Sequence, residues 1–232
     1  MWKRRATGRI LTFHLAGINN QNFIMRDQET GSFWQQVSGK CISGPLKGQA
    51  LELVRSDELT FALWRQEAPT GTILAPDPKF ADKYERANWE QQVAKLPTVV
   101  KLHDDSLAPR TLIAGFTVEG ISKAYPLSAI AEGVPIQDQF GGTPLLLALG
   151  PDGKSLRAFM RRIPGESQEP DFYKKNDNDW MLMDSVTSSL WDFRGCAFQG
   201  PAKGKCLEPV YVLKDYWFDW HTYHPDTLLY RH

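Results

Sequence analysis

One pattern occurs twice in this chain, at residues 27–74 and again at 184–230, and it constrains the fold more than any other feature. With Asp27 set against Asp184, Thr30 meets Thr187, Ser32 meets Ser189 and Trp34 meets Trp191. After a single-residue gap, Gly39 meets Gly195, Gly44-Pro45 meets Gly200-Pro201, and Gly48 meets Gly204. Leu51-Glu52 then runs beside Leu207-Glu208, Trp64 falls on Trp220 and Pro69 on Pro225. The spacing from Leu51 to Trp64 equals that from Leu207 to Trp220. Chance does not hold glycine, proline and tryptophan in register over such a length.

Each shared residue has a physical reading. Thr and Ser hydroxyls after the Asp bond the local backbone in turns. The Trp that follows opens an apolar stretch and anchors a core. Gly-Pro-x-Lys-Gly makes a tight loop, with proline fixing φ and glycine supplying positive φ. Residues 51–54 and 207–212 read as strands, and 60–66 and 216–223 as short helices with Trp64 and Trp220 pointing inward. Pro69 and Pro225 stop those helices, and 72–74 and 228–230 return as strands. Asp27, Asp184, Glu52 and Glu208 recur in both copies. Their recurrence argues for turn hydrogen bonding rather than paired acid–base work. The repeat is therefore read as architecture.

Between the copies, residues 76–98 are charged and proline-containing and read as a linker with one short helix. Strands are expected at 112–118 and 122–125 around a Glu119-Gly120 hairpin turn. Pro126 opens a short helix through Glu132. Further strands follow at 134–140, 145–149 and 156–161, with Gly141-Gly142 and Pro151-Asp152-Gly153 as turns, and 171–179 is polar and reads as a loop.

Two stretches here carry a specific resemblance. Val118-x-Gly120-x-x-Lys123-Ala124-Tyr125-Pro126, followed by Ile136-x-Asp138-x-x-Gly141-Gly142-x-Pro144, resembles the opening half of the bacterial family called domain of unknown function 3179. Asp27-x-x-Thr30-Gly31-Ser32-x-Trp34-x-Gln36 through Gly44-Pro45-x-x-Gly48 is similar to that family's closing half. So is Trp217-Phe218-x-Trp220-x-x-Tyr223-His224-Pro225-Asp226-Thr227. The resemblance implies a closing half-module at 1–75, a linker at 76–98, and a complete module at 99–232, with its opening half at 99–150 and closing half at 151–232. An opening half-module preceding Met1 is then an open possibility. Members of the family carry a Cys-Pro-x-Cys-like or selenocysteine-containing segment between the halves. This chain reads Leu145-Leu146-Leu147-Ala148-Leu149-Gly150 after Pro144, without cysteine, so thiol chemistry does not carry over to that place.

Composition narrows the functions. Lys plus Arg and Asp plus Glu number 27 each, so no net field favours nucleic acid. No apolar run reaches the roughly 18–20 residues of a membrane-spanning helix. The basic start, Trp2 to Arg9, leads into a short apolar run at 10–16 that contains His14. It alternates like a strand and lacks a cleavage signal, so no signal peptide is visible. Of the three cysteines, Cys41, Cys196 and Cys206, none forms a C-x-x-C pair. Cys196 and Cys206 could bridge in an oxidising compartment, but buried free thiols are the favoured reading.

His221 and His224 share a helix face and, with His232 nearby, are the candidate metal ligands. Pro225 and the non-ligating Arg65 and Ala68 in the first copy argue for packing or capping instead. His103-Asp104-Asp105-Ser106 holds triad residue types, but a local cluster is not a triad.

The expected fold is α+β and β-dominated, with antiparallel sheets or a barrel, short helices and an internally duplicated half-module. The expected function is a non-catalytic domain, extracytoplasmic (periplasmic or extracellular) by resemblance. It binds a protein partner or completes a larger redox assembly as an accessory part. No cofactor is implied. The rival is a metal-dependent or thiol-linked redox enzyme with a transition metal or thiol site between the two halves.

Overall fold

A computed structural model describes residues 1–84, 88–130, 134–175 and 180–231. The chain groups into two compact units, each assembled from separated stretches. One holds Met1–Ser56, Pro97–Pro109 and Trp217–Pro225. The other holds Asp57–Leu96, Arg110–Tyr216 and Asp226–His232.

The first unit is built on a four-stranded antiparallel meander, Phe13–Asn19, Asn22–Asp27, Phe33–Gln35 and Cys41–Ser43. Asn20 and Gln21, both at positive φ, close the first hairpin as a two-residue turn requires. Leu11, Trp34, Cys41 and Leu51 form the core, and the Trp2 indole donates to the Gln36 carbonyl at 2.6 Å. The expected strand at 51–54 contracts to one isolated bridge, Trp2 to Leu53. The helix Trp217–Tyr223 belongs to this unit. Its Phe218 amide bonds the Pro109 carbonyl, and Asp219 accepts from Asn22.

The second unit carries the same meander again, at Phe172–Lys174, Leu182–Asp184, Leu190–Trp191 and Ala197–Gln199. Residues 171–179 were expected to be a loop; the strand at 172–174 corrects this, while 176–179 lie outside the described residues. Two further sheets complete the unit. One runs in the order Leu213–Tyr216, Leu112–Val118, Ile121–Pro126, Leu228–Leu229, and the other Pro209–Val210, Leu156–Met160, Thr143–Leu149, Ile136–Phe140. Phe116, Tyr125, Leu145, Leu147 and Leu156 pack between these two sheets. Leu146 and Phe159, of opposite strand parity, pack instead with Phe172 and Trp191 of the meander. A sheet covered on both faces explains why 144–149 is continuously apolar. The short helix after Pro126 spans Leu127–Ile130, and the rest of its expected length falls on residues that are not described. The linker carries a 3₁₀ turn at Pro78–Lys83 and a helix at Trp89–Val93.

The fold is β-dominated α+β. Every strand pair is antiparallel except Leu228–Leu229 against Lys123–Ala124, and no barrel closes among the described residues. The copies differ at that last strand. Residues 228–229 find the edge of a sheet, whereas 72–74 form no strand and leave Leu74 98% exposed. A strand needs a partner edge as well as propensity.

Around the core tryptophan and the Gly-Pro loop, the two meanders make matching contacts. Phe13 meets Trp34 edge-on at 5.9 Å, and Phe172 meets Trp191 edge-on at 5.6 Å. A Cβ on Gly44 would lie 2.7 Å from the Ser32 Cα, and one on Gly200 2.7 Å from the Ser189 Cα; only glycine permits that approach. Lys40 and Ala50 pair across the loop in the first meander, as Cys196 and Cys206 do in the second. There the two cysteines form a disulfide, which corrects the expectation of free thiols. The Gly-Pro loop turns the chain back so that residues ten apart face each other, and no sequence spacing signalled this. Cys41 is the buried free thiol.

Candidate functional site

The recurrent carboxylates sit at the heart of each meander. Asp27 and Asp184 are fully buried. Asp27 accepts from the Trp34 indole at 2.7 Å and from the Thr30 amide at 2.6 Å. Asp184 accepts from the Trp191 indole at 2.8 Å, the Ser189 amide at 3.0 Å and the Thr187 hydroxyl at 2.7 Å. Burial pushes both carboxyls up, but these donors outweigh it and hold both below the usual aspartate value. Each therefore stays ionised as the acceptor that ties a turn to a core tryptophan. This is the turn role expected from the repeat.

His221 and His224 are both engaged by aromatic rings. The His221 ring lies 5.0 Å from Trp217, and its Nε2 is 3.9 Å from Asp104. His224 stacks on Trp220 at 3.9 Å, and its Nδ1 lies 3.1 Å from the Trp220 carbonyl. Burial lowers the His224 pKa. His232 lies outside the described residues. Among the described residues no three His, Cys, Asp or Glu side chains gather in a metal-binding group.

The resemblance-bearing residues of the opening half converge in space. Lys123 and Tyr125 are two apart on the strand Ile121–Pro126 and so share a face. Asp138, from Ile136–Phe140, faces them and accepts from both the Lys123 ammonium and the Tyr125 hydroxyl, the latter at 2.6 Å. The Lys123 ammonium lies 5.4 Å from the Tyr125 ring and 5.6 Å from that of Tyr230. Tyr230 stacks on Tyr125 at 5.1 Å. Burial raises the Asp138 pKa, but Lys123 and Tyr125 bring it below the ordinary value. Burial, reinforced by Asp138, drives the Tyr125 phenol far above its usual range. The carboxyl is held ionised and the phenol neutral, and Lys123, Asp138 and Tyr125 are bonded to one another, which suits fixing two sheets rather than moving a proton.

The copies part company on one face of the meander. Four residues before Asp184 stands Trp180, whose indole donates to the Leu149 carbonyl at 2.6 Å and packs edge-on against Phe193 at 5.0 Å. Leu63, from the helix Phe61–Glu67, covers Phe193, with Leu59 and Trp180 packed around them. Four residues before Asp27 stands Phe23, which is 50% exposed. Cross-strand register puts Ile18 opposite Phe23 and Leu15 opposite Met25, so all four line the face that carries Trp34 further along. Leu15 and Ile18 are also exposed.

Fold and sites together define a β-rich α+β protein whose buried polar clusters hold its own sheets and turns. Residues 1–227 match the family model described as Protein of unknown function (DUF3179), and the chain belongs to that family. No curated protein and no solved structure matches the chain.

Proposed function

We propose that this chain is a non-catalytic binding module, an accessory part of an extracytoplasmic assembly. In this reading it seats an amphipathic segment of a protein partner on the open face of its first meander. The carrying observation is the contrast between Phe23 and Trp180. In the second copy, an aliphatic side chain from a short helix covers this face. In the first copy the equivalent face presents Leu15, Ile18 and Phe23 to solvent. The occupied copy supplies the binding mode: a helix laying one apolar residue into an aromatic-lined depression. Clustered exposed apolar side chains of this kind mark interaction surfaces. Two further features support the reading. The Lys123–Asp138–Tyr125 cluster bonds to itself, and the Cys196–Cys206 disulfide suits an oxidising compartment. The duplicated half-module has, on this account, kept its structural residues and diverged where it binds.

Site-specific photo-cross-linking in the source cell tests this. A cross-linker at position 18 is expected to trap one discrete protein that one at Tyr173, on the second copy, does not trap. Equal or absent labelling at both positions contradicts the proposal.

A further inference from the structure

A second surface feature lies in the unit built around residues 110–216. The segment after residue 56 folds onto its central sheet. Glu58 bridges to Leu156, and Thr60 caps the helix Phe61–Glu67 while its hydroxyl donates to Asp152 at 2.6 Å. Leu63, and not Trp64 as the repeat led one to expect, turns inward, which leaves Phe61 and the half-buried Trp64, three residues apart, on the outer side of the helix. Their rings stack at 5.6 Å. They form one wall of a cleft of about 570 Å³, a size usual for small-ligand sites. Gly71 packs against the Trp64 ring: a Cβ there would come within 2.6 Å of it.

The floor of the cleft is charged. Arg157, nearly buried, donates to Glu67 through both terminal nitrogens at 2.8 and 2.7 Å. Its Nε and one terminal nitrogen reach the same Asp57 oxygen at 2.8 and 2.6 Å, and its plane lies over Phe193. One guanidinium between two carboxylates leaves an excess of negative charge. Arg194, at the rim, is held by Asp192 at 2.6 Å, so it does not cancel that excess. The Asp57 side chain stays half exposed. Stacked rings with negative faces, beside a fixed net-negative floor, attract a cation that also carries apolar surface.

We propose that this cleft binds an organic cation, an ammonium or guanidinium group, between the Phe61–Trp64 wall and the Asp57–Glu67 floor. The proposal rests on different residues from the partner-binding face, and either can fail without the other. Arg157 acts as a positioning residue, holding both carboxylates in place.

The test is a titration of the ¹⁵N-labelled full chain, following the Trp64 indole N–H signal, assigned with Trp64→Phe. Tetramethylammonium and agmatine probe a free cation, and acetyl-Gly-Arg-Gly-amide probes a basic side chain of a partner. The neutral probe tert-butanol serves as control. A saturable shift is expected with the cations and none with tert-butanol; the tighter of the free and peptide probes identifies the source. Phe61→Ala, at an exposed position, should weaken binding about tenfold, and Asp57→Asn by a similar factor of about ten through lost charge. An equal response to tert-butanol, or no saturable shift with any cation, overturns the proposal. So does unchanged affinity in both folded variants.

Discussion

At the scale of single residues, the buried aspartates decide whether the repeat is chemistry or architecture. Asp184 has donors from Trp191, Thr187 and Ser189, all within the meander. Removing the carboxylate strands a buried indole N–H and several turn donors, so Asp184→Ala should cost at least about 3 kcal/mol of stability. Chemical denaturation measures this, and a near-neutral result would contradict the architectural role. His224 gives a test of sign. Burial lowers its folded pKa, so between that value and its ordinary value of about 6.5 the unfolded chain binds more protons. The stability held by the neutral ring is complete above about pH 6.5 and is lost as pH falls toward the folded pKa. The denaturation midpoint of the wild type should therefore drop on acidification through this window, and that component should vanish in His224→Phe. Residue roles were only partly legible in the sequence. The Asp-Thr-Ser-Trp spacing announced a turn tied to a core ring. Lys123, Tyr125 and Asp138 lay in quoted motifs, yet their convergence is a product of sheet stacking that no local pattern encodes.

At the scale of elements, the two meanders are one device with different staples. Cys196–Cys206 closes a loop that Lys40 and Ala50 bridge through backbone hydrogen bonds alone in the other copy. Reducing the disulfide should cost about 2–3 kcal/mol, the range for a short closed loop. The converse also follows. Lys40→Cys with Ala50→Cys should form a second disulfide, read as the loss of two thiols by mass spectrometry after alkylation. It should also raise the unfolding midpoint. If the engineered pair stays reduced under conditions that keep Cys196–Cys206 oxidised, the two loops are not equivalent. The helices and the strands between the copies were legible because glycine, proline and alternation are local signals: Glu119-Gly120, for example, makes the expected turn with both residues at positive φ, whereas the short strands of the two meanders, apart from the alternation at 10–16, were not. The strand at 72–74 failed because its twin at 228–229 depends on the edge offered by Lys123–Ala124, which the first copy lacks among the described residues.

At the scale of the whole molecule, chain order and spatial grouping diverge. The helix that follows the first meander joins the unit of the second, and the helix that follows the second joins the unit of the first. Arg157 pairs with Asp57 across 100 residues of sequence. No reading of periodicity could foresee either fact, and the cleft beside Trp64 is lined by the helix Phe61–Glu67 together with Asp57 and Arg157. The repeated pattern was visible, and the difference between its two occurrences was not, since Phe23 and Trp180 lie just outside the matched stretch. That divergence is where the account places function. The most direct measurement is the affinity of the cross-linked partner, once purified, for the wild type and for Phe23→Asp, an exposed-site change that should leave the unfolding midpoint nearly unchanged. Phe23→Asp should weaken binding by at least about tenfold, the effect of losing a buried aromatic anchor. Equal affinity for both proteins, with both folded, would contradict it.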